Sequence, residues 1–138
     1  MEMKPMIYKK GLNEILYEGD YKEHHFIIRN MGMHPCAYIE NKLKDSDKYT
    51  NSEYGFECPL DDIVRVHGLV SFTGKYLWNK DDNRNYIGWD YGHCCDWCGL
   101  WSDEENIEYD SKKWTTEEIY EEIKTAIDQL IEAEEKEE

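Results

Sequence analysis

The pattern that most constrains this fold is the spacing of apolar residues near the C-terminus. They recur every three or four positions and so share one face of a helix for about four turns; they are Ile119, Ile123, Ala126, Ile127 and Leu130. Thr115 and Glu118 form a capping-box pattern, which predicts that the helix begins at Thr116. An apolar stripe of this width is stable only when it is buried from water, so we expect the helix to pack across a sheet. A partner-binding helix is the alternative.

The rest of the chain favours strands. Residues 26–28, 36–39 and 86–89 are short runs of apolar, β-branched and aromatic side chains, and residues 61–74 have a similar composition. The first two runs are predicted to form a hairpin with His34 near its turn. Together with the helix, these runs predict an α+β fold: a small, mainly antiparallel sheet with one C-terminal amphipathic helix packed on one face.

Three polar segments are predicted to lie outside these elements. Residues 41–57 form a long loop, residues 100–113 an acidic connector with little regular structure, and residues 132–138 an acidic tail. With 138 residues, of which 40% are hydrophobic, the chain is long enough for one packed core. We therefore expect residues 1–131 to form a single domain.

The charge of the chain is strongly negative and unevenly distributed. The net charge is −15, and residues 103–138 carry 15 of the 31 acidic residues but only four of the 16 basic ones. Direct binding of nucleic acid is disfavoured, because a phosphate backbone would meet like charge. The composition suits a protein partner with a basic surface, or solubility alone. The candidate partner surface on the helix comprises Glu117, Glu118, Glu121 and Glu122.

Targeting signals and cysteine content point to one compartment. The N-terminal residues have no apolar signal region, and no apolar run approaches the length of a membrane span. Five cysteines, an odd number without a secretory signal, predict reduced thiols rather than a disulfide framework. We expect a cytoplasmic protein with no membrane association; the sequence does not indicate an oligomeric state.

Residues 88–98 contain the densest group of chemically active side chains: two carboxylates, one imidazole, three thiols and two indoles. Asp90, His93 and Asp96 are spaced three apart after a predicted strand, where a tight turn can gather them. Imidazole and carboxylate groups suit an open catalytic, metal or ligand site. A network of buried, mutually hydrogen-bonded side chains is the structural alternative. The candidate ligand or metal residues are His34, His67, Asp90, His93 and Asp96.

The thiols offer a second set of metal candidates. Cys95 and Cys98 have the spacing of a zinc knuckle, and Cys36 is a further candidate close to His34. A structural zinc site needs four ligands, and the sequence shows no second clear pair. Zinc or another divalent metal is therefore a candidate cofactor, whereas thioredoxin-like redox catalysis is disfavoured, because no helix pattern follows the cysteine pair.

Three segments together resemble a family of small uncharacterised proteins of bacteriophages and prophages. That family shows the motifs M-G-H-x-C-G-Y-V, H-G-G-L-T-Y-x-G and G-F-D-C-A-H-x-G-D before a C-terminal amphipathic helix. The similar segments here are residues 33–39, 67–74 and 88–96, and the resemblance extends over residues 24–131. The positions that match are His34, His67, Asp90, His93 and Asp96, whereas Tyr91 replaces the family's cysteine. The resemblance implies a phage context and no particular activity.

Two functions follow as expectations. The first is a phage-encoded acidic accessory protein in the host cytoplasm that acts by binding. It would be a counter-defence, anti-CRISPR-like inhibitor of a host nucleic-acid-handling component with a basic surface. The second is a metal-dependent hydrolase or small-ligand-binding protein that uses the His/Asp cluster. The charge favours the first and the cluster favours the second, so the sequence does not decide whether the protein is an enzyme.

Overall fold

The computed structural model describes residues 1–44 and 59–137. Within these residues an antiparallel sheet of five strands has the order β1-β2-β3-β5-β4. No helix among them combines the length and apolar character needed to cross a bilayer. The elements are β1 (Glu14–Tyr21), β2 (His24–Asn30), β3 (Pro35–Glu40), a 3-10 turn (Pro59–Asp62), β4 (Phe72–Lys75), β5 (Asn85–Asp90), α1 (Asp103–Glu108) and α2 (Thr116–Lys136).

The predicted α+β fold is confirmed, and α2 packs on one face of the sheet. All five residues of the predicted apolar stripe are fully buried. They pack in one core with strand residues that include Phe26, Ile39 and Trp89. The hydroxyl of Thr115 accepts a hydrogen bond from the amide of Glu118, and the Glu118 carboxylate accepts one from the amide of Thr115, so the capping box is formed.

The helix continues through Lys136 and so passes the predicted boundary after residue 131. The helix extends this far because its last turn makes tertiary contacts. The Glu134 carboxylate lies 2.8 Å from Nε2 of the buried His24 and accepts a hydrogen bond of 2.9 Å from the amide of Lys42. The last turn of α2 therefore belongs to the domain, rather than to a tail.

The opposite face of the sheet carries a smaller apolar cluster. Ile27, Tyr76 and Tyr86 are buried there, and Tyr38 and Phe72 pack against them. Apart from Tyr76, which follows β4, these residues alternate along the strands with those of the main core, because successive side chains of a strand point to opposite faces.

The predicted strand over residues 61–74 is wrong for most of its length. Only Phe72–Lys75 pairs with β5, and the preceding residues form the 3-10 turn and a loop that carries His67. Gly68 and Leu69 adopt φ values of 68° and 70°, which a strand does not tolerate. Val64 and Val66 are apolar because they enter the core from this loop, not because they alternate along a strand.

The predicted connector over residues 100–113 also differs from the structure. It contains α1, which begins with a second capping box, formed by Ser102 and Glu105. The pattern is visible in the sequence, but the short helix lacks an apolar stripe and so gives no periodic signal. The loop predicted over residues 41–57 lies outside the described residues from position 45 onward, as does Cys58.

Candidate functional site

The site begins where β5 ends. Asp90 is the last residue of the strand, and the chain turns sharply at Gly92. The Asp90 carboxylate accepts a hydrogen bond of 3.0 Å from the amide of Gly92 and lies 3.4 Å from Oγ of Ser71. A Cβ at position 92 would stand 2.6 Å from the ring of His34, so glycine is what allows this ring to lie on the turn.

The Asp96 carboxylate is the centre of the cluster. It is buried, and one of its oxygens lies 2.7 Å from Nε2 of His67 and 2.9 Å from the amide of His93. The other oxygen accepts a hydrogen bond of 2.9 Å from Nε1 of Trp114. A buried carboxylate needs such donors to offset the loss of water. Because the carboxylate accepts, Nε2 of His67 is the donor, and a neutral His67 ring then has its lone pair on Nδ1.

The ring of His67 is held by aromatic neighbours. It stacks on Tyr91 with ring centroids 5.1 Å apart and planes within 4°, and Trp114 packs at 4.8 Å. Glu122 accepts hydrogen bonds from the hydroxyl of Tyr91 and from the amide of His67, at 2.7 and 3.0 Å. Burial and the nearby charge of Glu122 raise the pKa of Tyr91, so its phenol stays protonated and donates.

His93 supplies the second imidazole. Its Nε2 lies 3.1 Å from the Asp90 carboxylate, and its ring centroid is 5.8 Å from that of His67. The backbone of Gly68 passes directly beside this ring, and a Cβ there would overlap Nε2. The two histidines thus each have a carboxylate partner and approach each other at the edge of the domain.

The five sequence-predicted residues therefore lie in one region of the structure. His67, Asp96, His93 and Asp90 are directly linked by hydrogen bonds or ring contacts, and His34 lies against Gly92. Among residues 1–44 and 59–137, no three His, Cys, Asp or Glu side chains are placed to hold one metal ion together. The arrangement consists of histidine–carboxylate pairs.

The cysteine candidates are arranged differently. Sγ of Cys36 lies 3.7 Å from Nδ1 of His34, and burial, followed by the charge of Asp90, raises the pKa of the Cys36 thiol to about 12. Cys36 is therefore a neutral thiol at physiological pH. Sγ of Cys95 contacts Cys94 at 3.6 Å, whereas the backbone of Cys98 is hydrogen-bonded to Asn106.

The four acidic candidates on α2 do not form one surface. Glu122 is bound within the fold, and Glu118 caps the helix and pairs with Lys112 at 2.7 Å. Glu121 is exposed and pairs with Lys124 at 2.7 Å, and Glu117 is also exposed. Only two of the four carboxylates are therefore free of a role in the fold.

A second feature, which the sequence analysis missed, is the surface of α1. We use the name α1 surface for four exposed apolar side chains and the carboxylates between them: Leu100, Trp101, Ile107 and Tyr109 with Asp103, Glu104, Glu105, Glu108 and Asp110. Residues 100–110 contain no basic side chain. Ile107 and Tyr109 are 68% and 61% exposed, and the rings of Trp101 and Tyr109 lie 5.5 Å apart.

A buried asparagine holds the α1 surface in place. The side chain of Asn106 donates to the carbonyls of Cys98 and Ser102, at 2.9 and 3.1 Å, and accepts from the amide of Cys98 at 2.9 Å. The backbone carbonyl of Asn106 accepts a hydrogen bond from the amide of Ser111. The backbone that carries the exposed apolar side chains of the α1 surface is therefore held by these hydrogen bonds.

Comparison with protein families, curated proteins and solved structures found no match to this chain.

Proposed function

We propose that this protein acts by binding a partner protein through the α1 surface, and that the partner is basic. The observation that carries the proposal is the combination of exposed aromatic and aliphatic side chains with five carboxylates on one rigid segment. Trp101 and Tyr109 are in ring contact, and adjoining exposed apolar groups are typical of interaction sites. Tyr and Trp are also the residue types that contribute most to protein–protein affinity.

The charge supports a basic partner. Residues 103–138 concentrate the negative charge of the chain, and α1 lies at the start of this segment. Such a field accelerates the approach of a positive surface and repels nucleic acid. Proteins that handle nucleic acids bind the phosphates in basic channels. In such a channel the carboxylates of this chain would take the place of the phosphates. Together with the resemblance to phage proteins, this supports a counter-defence inhibitor of a host nucleic-acid-handling component.

The rigidity of α1 supports the same role. Association is opposed by the entropy lost when loops and side chains become ordered. Because Asn106 holds the backbone that carries Trp101 and Ile107, the part of this cost that comes from ordering the backbone is reduced.

The test compares two purified variants with the wild-type chain in capture from a host lysate, followed by direct binding to each identified partner. The double substitution Trp101→Ser with Ile107→Ser removes apolar contact from the α1 surface. Leu77→Ser is the matched control, since Leu77 is 75% exposed but lies in the β4–β5 connection. We expect a basic partner whose affinity falls at least tenfold with the double substitution and is unchanged with the control.

The second part of this test measures how the association rate depends on salt concentration. Exposed charges are screened beyond about 8–10 Å at physiological ionic strength, so association with a basic partner slows as salt rises. Equal binding by the double variant and the wild type, or an acidic partner, would exclude the proposal.

A second candidate function is a small-ligand or hydrolytic site at the His67–Asp96 pair, which the buried and fully hydrogen-bonded Asp96 carboxylate favours. A carboxylate that orients an imidazole is the usual support for a general base. The test is hydrolysis of simple carboxylic and phosphate esters, with and without added zinc, by the wild type and by His67→Asn. His25→Asn is the control, since His25 lies on β2 and pairs with Glu18 and Asp20. Activity that survives His67→Asn would exclude this candidate.

A further inference from the structure

Two neighbouring thiols face each other at the surface beside the candidate site. Sγ of Cys94 and Sγ of Cys95 are 3.6 Å apart, and both residues are exposed. Successive side chains of an extended chain point to opposite sides, which would separate two adjacent thiols. Here they lie on the same side because Cys95 adopts a φ of 74°.

This backbone conformation is unfavourable and is maintained by its surroundings. A left-handed conformation is uncommon for any residue with a Cβ, and cysteine is not among the types that adopt it readily. The carbonyl of Cys95 accepts a hydrogen bond of 2.8 Å from the amide of Lys112, and the amide of Asp96 donates to the carbonyl of His93 at 3.0 Å. The next side chain, that of Asp96, is fixed by three hydrogen bonds. Strain that is held in this way is concentrated at functional positions.

We propose that Cys94 and Cys95 are a site of reversible oxidation, at which a vicinal disulfide forms by exchange with a low-molecular-weight disulfide. The thiolate of one cysteine attacks a sulfur of the small disulfide, whose S–S bond breaks and releases one small thiol. The neighbouring thiolate then attacks the protein sulfur of this mixed disulfide and expels the second small thiol. Two electrons pass to the small disulfide, and the two thiol protons end on the released thiols.

The geometry makes the disulfide easy to reduce again. Adjacent Cα atoms are about 3.8 Å apart across a trans peptide, which is shorter than the roughly 4.4–6.8 Å usual for disulfides. The ring that closes between neighbouring residues is therefore strained, and strained, exposed disulfides have the more oxidising potentials of labile or regulatory bonds. The site thus suits a reversible modification rather than a structural crosslink.

Oxidation at this position changes the site beside it. Closing the ring twists the peptide between Cys94 and Cys95, and Asp96 follows immediately. Since Asp96 holds Nε2 of His67 and Nε1 of Trp114, the indole N–H of Trp114 reports on the change.

The experiment treats the full-length reduced protein with oxidised glutathione, then blocks remaining thiols and measures the intact and peptide masses. We expect the loss of two hydrogens, the absence of a blocking group on Cys94 and Cys95, a link between these two residues, and full reversal by dithiothreitol. The indole resonance of Trp114, assigned with Trp114→Phe, should shift on oxidation and return on reduction. A stable glutathione adduct on Cys94 or Cys95 of the wild-type chain, or a link from Cys95 to Cys98, would overturn the proposal.

Substitutions separate this pair from the thiols of Cys36 and Cys98. Cys95→Ser should accumulate a glutathione adduct on Cys94, because no neighbouring thiol remains to expel it. Cys98→Ser and Cys36→Ser should oxidise as the wild type does, and loss of the mass change in either one contradicts the assignment. Circular dichroism of each variant confirms that the fold is retained.

Discussion

Nε2 of His67 lies 2.7 Å from a carboxylate oxygen of Asp96, although 29 positions separate the two residues in the chain. The same carboxylate binds the amide of His93 and the indole of Trp114. Asp96 therefore connects the loop before β4, the turn after β5 and the segment that leads into α2. A single buried acceptor, with two donors from distant segments and one from its own turn, determines the geometry of this edge of the domain.

Replacing this acceptor should destabilise the fold strongly. We expect Asp96→Ala to lower the free energy of unfolding by about 3 kcal/mol, because three partly buried donors lose their partner, each at the lower end of the roughly 1–3 kcal/mol that an orphaned polar group costs. Asp90→Ala is the control and should cost about 1 kcal/mol, since this side chain is partly exposed and water can replace it. Urea denaturation measures both. Equal losses for the two variants would mean that Asp96 is not the central acceptor.

Gly68 should prove necessary for the position of His93. Gly68→Ala combines an unfavourable φ of 68° with overlap of the His93 ring, so we expect a loss of more than about 1 kcal/mol. Gly11→Ala is the matched control: its φ of 88° is also positive, but no atom lies within 4 Å of the added Cβ. Adding His93→Ala to Gly68→Ala should recover the part of the loss that is due to overlap. Additive effects in this double-mutant cycle would contradict the contact.

The His24–Glu134 pair should make stability depend on pH. Burial lowers the pKa of His24, but the hydrogen bonds to Glu134 and to the carbonyl of Lys22, with the charge of Glu134, raise it overall. Both ring nitrogens face acceptors, which only the protonated ring satisfies. The pair's contribution is therefore fully present below the unfolded pKa of about 6.5 and is lost as pH rises through the higher folded pKa.

The measurement is the free energy of unfolding between pH 6 and pH 8, compared for wild type and His24→Gln. The difference between the two should shrink as pH rises, because only the wild type carries the His24 imidazolium and all other groups are common to both proteins. Glu134→Gln should also reduce the slope, because it removes the charge that favours the imidazolium. A difference that grows with pH would contradict the protonation state inferred here.

The α1 surface should be separable from the stability of the fold. Trp101→Ser with Ile107→Ser should change the free energy of unfolding by no more than about 0.5 kcal/mol, because both side chains are exposed. Asn106→Ala should cost about 1–3 kcal/mol, because the amide and carbonyl of Cys98 lose their buried partner. Thermal and urea denaturation of the double variant, of Asn106→Ala and of the wild type measure these changes. Marked destabilisation by the exposed pair would mean that these side chains stabilise the fold rather than bind a partner.

The sequence by itself determined the elements whose signals are local. The stripe from Ile119 to Leu130 and the capping box at Thr115 specify α2, because side chains three and four apart share a helix face wherever the helix lies. The runs around Ile27, Ala37 and Ile87 specify strands in the same way, and an amphipathic helix with several strands leaves few architectures open.

Tertiary structure decided what depends on non-local partners. Val64 and Val66 suggested a strand, but they are apolar because a loop buries them under α2, and loop and strand residues look alike when both are buried. The last turn of α2 is ordered by His24 and Lys42, which are more than 90 positions away. The spacing of Asp90, His93 and Asp96 already predicted that one turn gathers them, but only the packing of the loop before β4 against that turn paired His67 with Asp96.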